Sequence, residues 1–136
     1  MSPTTGHRDT KGIAMDILNP ESQADPHHWG ATFCGHCWIA LGPWGVIAIT
    51  WNAWLAAWVV PLAYLLIWEG AQLVIAWRRG QLTYFLVWDS ICDTVAVAFG
   101  CYAAASARHG IYLDAMLYWC ASLIVCVIGW VRRANR

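Results

Sequence analysis

The stretch that decides the fold runs from Trp29 to Trp77 and reads WGATFCGHCWIALGPWGVIAITWNAWLAAWVVPLAYLLIWEGAQLVIAW. It contains one charged residue, Glu69, in 49 residues. A helix needs about 20 residues to cross the ~30 Å hydrocarbon core of a bilayer. The stretch therefore predicts two membrane spans. Asn52 is the favoured turn between them, with Pro43 and Pro61 as rival positions because membrane helices tolerate proline.

The rest of the chain predicts two more spans and polar ends. Arg78–Gln81 and Arg108–Gly110 are short polar turns, each containing a glycine that suits a helix end. We predict an all-α membrane protein, a bundle of four transmembrane helices with short loops. The predicted spans are about 29–51, 54–77, 82–107 and 111–131, between a polar tail at 1–28 and a basic end at 132–136.

Composition and charge fit a membrane protein. Hydrophobic residues make up 60% of the 136 residues and charged residues 12%, too few charges to cover a soluble domain. The formal net charge is zero, which gives no reason to expect a nucleic acid as partner. The lipid bilayer is the expected partner. Glycines and alanines within the spans permit close helix contact, which favours self-association or a larger membrane complex.

Basic residues predict the orientation, because they concentrate on the cytoplasmic side of bacterial membrane proteins. A four-span arrangement places both termini on the cytoplasmic side. Arg108 alone then lies on the opposite side. The other seven basic residues share the cytoplasmic side: Arg8, Lys11, Arg78, Arg79, Arg132, Arg133 and Arg136.

A set of polar residues lies within the apolar spans: His36, Glu69, Gln72, Asp89 and Asp93. At ~1.5 Å per residue these groups lie at a common depth of roughly 10–16 Å from the cytoplasmic end. Ionisable groups inside a membrane mark functional sites. Their oxygen and nitrogen atoms suit a divalent cation, and the same cluster suits a shared proton. Polar residues that hold helices together by hydrogen bonds are the structural alternative.

In the proposed site, His36, Glu69, Asp89 and Asp93 would ligate the cation or exchange the proton, and Gln72 would orient its neighbours. The sequence identifies no catalytic residue and leaves open whether the protein is an enzyme. The proposed function is binding of a cation or proton, together with recognition of a lipid headgroup.

The polar set resembles the pattern of small VanZ-like membrane proteins, many of them from phages. The matching elements are Gly35-His36, Glu69 with Gln72, and Asp89 with Asp93. The asparagine that often follows the aspartates in that family is absent here, where Val95, Ala96 and Val97 stand. The resemblance covers residues 29–100. It implies a bacterial or phage-encoded multi-pass protein of the inner membrane.

Two other classes of function remain open. Cys34 and Cys37 form a C-x-x-C motif, which in a membrane thiol oxidoreductase would exchange electrons through a reactive thiolate. The predicted orientation places this motif on the cytoplasmic side, and no second cysteine pair lies in an outer loop. The other class is a non-enzymatic subunit, either a holin-like oligomer or an accessory chain packed on a larger membrane complex.

Overall fold

The computed structural model describes residues 25–135, and these residues are helical with no strand. Residues 1–24 of the predicted polar tail, together with Arg136, lie outside the described part. The elements in chain order are α1 (Pro26–Ile39), α2 (Leu41–Thr50), α3 (Ala53–Ala63), a π-helical segment (Tyr64–Glu69), α4 (Gly70–Arg78), α5 (Tyr84–Arg108) and α6 (Tyr112–Ala134).

These elements form four helices that are long and apolar enough to cross a membrane. They comprise Pro26–Thr50, Ala53–Arg78, Tyr84–Arg108 and Tyr112–Ala134, and we call them the first to fourth spans. The predicted all-helical architecture with four such helices is confirmed. The end of the bundle at which Pro26, Arg78, Tyr84 and Ala134 lie is called the basic end.

The first span begins at Pro26, three residues before the predicted start at Trp29. The carboxylate of Asp25 explains this early start, because it accepts a hydrogen bond from the backbone N–H of His27 at 2.8 Å. Proline suits the first helical position, where its missing N–H costs no hydrogen bond. The first helix therefore includes the last three residues of the predicted polar tail.

The turn between the first two spans falls at Asn52. Its side-chain oxygen accepts hydrogen bonds from the N–H groups of Trp54 at 2.8 Å and Leu55 at 3.2 Å, which caps α3. Pro43 and Pro61 lie inside helices instead. The first span is interrupted at Ala40, and Pro43 accounts for this break because it offers no N–H to a carbonyl one turn earlier.

Glycines end the second and third spans in the same way. Gly80 has a φ of 67° and Gly110 a φ of 74°, in the left-handed region that glycine enters without strain. The N–H of Gln81 then donates to the carbonyl of Ala76 at 2.8 Å, which closes the end of α4. The equivalent bond from Ile111 to Ser106 measures 2.9 Å and closes α5.

The third span is the central helix of the bundle, since α5 packs against α1, α3 and α6. Small side chains allow this packing, and Ala56, Ala57 and Ala105 have no exposed surface. The backbones of α5 and α1 approach closely at Gly100, where an added Cβ would overlap the backbone carbonyl of Cys37. Small residues at such contacts let helix backbones come together.

Candidate functional site

A histidine and an aspartate join the first span to the third. His36 Nδ1 lies 3.1 Å from Asp93 Oδ1. The side chains are 17% and 10% exposed, respectively, so water screens the pair only weakly. No acceptor among the described residues lies in hydrogen-bond geometry to His36 Nδ1. The two groups therefore form an ion pair when His36 is protonated, and the contact depends on charge more than on a directed hydrogen bond.

Glu69 lies on the second span, where it is 2% exposed. The hydroxyl of Tyr64 donates a hydrogen bond of 2.5 Å to Glu69 Oε1. The π-helical segment contains both residues and sets their spacing of five positions along the chain. The Tyr64 ring also lies against His36, with a centroid distance of 5.5 Å. Tyr64 therefore links Glu69 to the His36–Asp93 pair.

A proline precedes the π-helical segment in the sequence. Pro61 lies three residues before it and lacks the N–H that would complete the preceding α-helical turn. The chain then widens into π geometry before α4 resumes at Gly70. Such single-turn widenings are frequent at functional sites. The π-helical segment provides the geometry through which Tyr64 reaches Glu69.

Asp89 joins the third span to the first and the fourth. Its Oδ1 accepts a hydrogen bond of 3.0 Å from the indole N–H of Trp29, and Arg133 Nη2 lies 3.4 Å from the same atom. The Arg133 guanidinium also lies 4.1 Å from the centre of the Trp29 ring, a cation–π contact. Gly129 leaves space for that ring, because an added Cβ would overlap it.

The structure brings four of the five predicted polar residues into one region near the basic end. His36 contacts Asp93, Asp89 is one helical turn away on the same face of α5, and Tyr64 connects Glu69 to His36. Gln72 is half-buried, and among the described residues no hydrogen bond ties it to the others. The predicted orienting role of Gln72 therefore has no contact to support it here.

Three members of the site were not predicted from the sequence. Trp29 is 2% exposed and its indole N–H donates a hydrogen bond to Asp89. Tyr64 was not singled out, although Pro61 three residues earlier was a signal of irregular helix. Arg133 was counted only for orientation, because a basic residue near a helix end more often faces water than a buried carboxylate.

Two of the three carboxylates in this region have a cationic partner among the described residues. Asp89 has Arg133 as a cationic partner, and Asp93 has His36. No cationic group among residues 25–135 lies within ion-pair distance of Glu69, whose hydrogen-bonding partner is the neutral hydroxyl of Tyr64. An ionised Glu69 would be a buried negative charge without a counter-ion, which is costly in a low-dielectric environment.

The side-chain pairing also bears on the predicted divalent cation. Within the described part of the chain, no group of three or more His, Cys, Asp or Glu side chains could hold a metal ion. Instead, Asp89 contacts Trp29 and Arg133, and Asp93 contacts His36. Glu69 accepts a hydrogen bond from Tyr64. The arrangement therefore fits a hydrogen-bonded and ion-paired cluster better than a metal centre.

The two cysteines of the C-x-x-C motif face different neighbours on the fourth span. Cys37 is buried, and its Sγ lies 3.2 Å from the hydroxyl oxygen of Ser122. Cys34 is exposed, and its Sγ lies 3.9 Å from that of Cys126. All three cysteines are free thiols. Cys126, and not Cys37, is thus the thiol that Cys34 contacts, which the sequence motif did not indicate.

Comparison with known proteins gives no relative from which a role could be transferred. No family model matches the chain, and neither a curated protein nor a solved structure matches it. The resemblance to VanZ-like proteins therefore stays a prediction based on short motifs.

Proposed function

We propose that this chain is a multi-pass protein of a bacterial or phage-encoded inner membrane, with both termini in the cytoplasm. The four long apolar helices support membrane insertion. The basic residues support the orientation, because seven of the eight fall on one side when four spans cross. We use the name polar cluster for His36, Glu69, Asp89 and Asp93 together with their partners Trp29, Tyr64 and Arg133. In this orientation the polar cluster lies in the cytoplasmic half of the membrane.

Within this protein, we propose that Glu69 reversibly binds a proton. The observation that carries the proposal is a carboxyl group 2% exposed that has a neutral hydroxyl beside it, with no cationic group of residues 25–135 within ion-pair distance. Binding a proton removes the uncompensated charge, whereas releasing it leaves an anion stabilised by the Tyr64 hydroxyl. Carboxyl groups in such positions form proton relays in membrane proteins.

The other ionisable groups form two ion pairs around Glu69. Asp89 and Arg133 balance each other, and so do Asp93 and a protonated His36. These two pairs account for four of the five charges that the cluster carries when all its carboxyls are ionised. The remaining negative charge belongs to Glu69, so the entry of one proton makes the cluster neutral.

Proton uptake by the purified protein tests this proposal. After a pH jump, an indicator dye in unbuffered detergent solution should report about one proton fewer per chain for Glu69→Gln than for the unmodified protein. Asp114→Asn is the control, because Asp114 is an exposed carboxylate at the opposite end of the bundle from Arg133 and does not contact Glu69. Equal uptake by all three proteins would contradict the proposal.

Elemental analysis of the same preparations separates a proton from a metal. We expect equal divalent-metal content in the unmodified protein and in the Asp89→Asn/Asp93→Asn variant, because protein groups already pair with these carboxylates. A stoichiometric ion that disappears in the double variant would instead support the metal site predicted from the residue types.

The non-enzymatic alternative retains support from the surface of the fourth span. This helix exposes a row of large apolar side chains, among them Leu113, Leu117, Ile124 and Ile128. Lipid or a neighbouring subunit could cover them. Purification in a stoichiometric complex would favour an accessory chain, permeabilisation of the inner membrane would favour a holin, and loss of function limited to Cys34 and Cys37 variants would favour redox chemistry.

A further inference from the structure

A groove of about 570 Å³ lies between α5 and α6 at the basic end, and we call it the α5–α6 groove. It is separate from the Glu69 carboxyl, and it meets the polar cluster only at Trp29, Asp89 and Arg133. Its volume is in the range of small-molecule pockets, roughly 300–1,000 Å³. A ligand of the size of a lipid headgroup with the first part of its chains fits this space.

The groove has a cationic part and an apolar part. Arg132 and Arg133 line it near the end of α6, while Val125 and Ile128 line it one to two turns earlier along the same helix. Arg132 is exposed, and no ion pair joins it to another described residue. Arginines bind phosphate oxygens with paired N–H donors. The apolar part offers aliphatic side chains against which an acyl chain can pack.

Aromatic residues from α5 complete the groove. Tyr84 is 76% exposed, Phe85 61% and Trp88 47%, and all three line it. Aromatic rings favour the level of the lipid headgroups. The acidic residue in the lining, Asp89, accepts from Trp29 and pairs with Arg133, so its charge is compensated inside the protein. Arg132 then adds a positive charge to the opening.

We infer that the α5–α6 groove binds one anionic phospholipid of the bilayer, with its phosphate at Arg132 and Arg133 and the start of an acyl chain along Val125 and Ile128. Charge complementarity and the change from arginine to apolar lining along α6 carry this inference. Basic pockets between membrane helices on the cytoplasmic side bind anionic headgroups in this way. The inference rests on the membrane placement in the proposed function, and not on proton binding by Glu69.

Native mass spectrometry of the full chain with added lipid tests this site. The unmodified protein should retain one phosphatidylglycerol, with an affinity about fivefold or more above that for phosphatidylcholine. Arg132→Gln should bring the two affinities close together. Arg79→Gln is the matched control, since Arg79 is an exposed arginine near the same end that does not line the groove, and it should keep the preference.

A second variant separates the groove from general surface charge. Ile128→Trp keeps both arginines but fills the apolar part, so it should also lose phosphatidylglycerol. Excess inorganic phosphate should fail to displace the lipid. Equal affinity of the unmodified protein for the two lipids would overturn the inference, as would equal losses in Arg79→Gln and Arg132→Gln or displacement by phosphate. Those outcomes would leave the Glu69 proton-uptake result unchanged.

Discussion

Gly100→Ala is expected to lower the free energy of unfolding of the bundle by about 3 kcal/mol. The new methyl group would overlap the backbone carbonyl of Cys37, and backbone cannot move aside as a side chain can. Relief requires α1 and α5 to separate, which would also lengthen the His36–Asp93 contact between the same two helices. Thermal or chemical unfolding in a fixed detergent measures the change.

Gly45→Ala is the control for this prediction. Gly45 lies within α2, and an added Cβ there meets no heavy atom within 4 Å. Alanine favours a helix over glycine by about 1 kcal/mol, so this variant should be as stable as the unmodified protein or slightly more stable. Equal stability of Gly100→Ala and Gly45→Ala would contradict the close contact between the first and third spans.

Arg133→Gln is expected to cost about 3 kcal/mol of stability. The change leaves the Asp89 carboxylate buried without its cation, with the Trp29 indole N–H as its remaining hydrogen-bond donor among the described residues. It also removes the guanidinium from the face of the Trp29 ring. Both losses weaken the junction of the first, third and fourth spans. Unfolding measurements in lipid-free detergent report the change.

A double-mutant cycle tests whether the cost arises from the uncompensated carboxylate. Asp89→Asn combined with Arg133→Gln removes both charges, so the double variant should recover much of the loss seen in Arg133→Gln alone. Arg132→Gln is the adjacent control and should be close to neutral, since Arg132 is exposed. Additive losses in the double variant would show that the two side chains do not interact.

The common level of these residues along the bundle could be predicted because helical rise is a local property. Counting residues from the basic turns placed His36 and Asp93 at one level, and their side chains lie 3.1 Å apart. Asn52 was predicted as the turn because it is a polar residue between Trp51 and Trp54, and in the structure its side chain caps α3. These features follow from short stretches of sequence without knowledge of how the helices pack.

The pairing inside the cluster could not be predicted in this way. Which side chain Asp89 meets depends on the rotation of the first and fourth spans, and Gly129 sets that rotation by leaving space for Trp29. Tyr64 reaches Glu69 through a π-helical segment that ordinary helical spacing does not describe. From the residue types alone, His36 and the three carboxylates were predicted as metal ligands. In the folded bundle these side chains contact hydrogen-bond donors and charged groups of the protein.

Infrared difference spectroscopy at varied pH tests directly whether Glu69 binds a proton inside the bundle. We expect a carbonyl band of a protonated carboxylic acid that changes with pH, is lost in Glu69→Gln and is kept in Asp114→Asn. In Tyr64→Phe the band should move, because the hydrogen bond to Glu69 is gone. Proton binding by Glu69 would be contradicted if the difference spectrum of Glu69→Gln were identical to that of the unmodified protein at every pH.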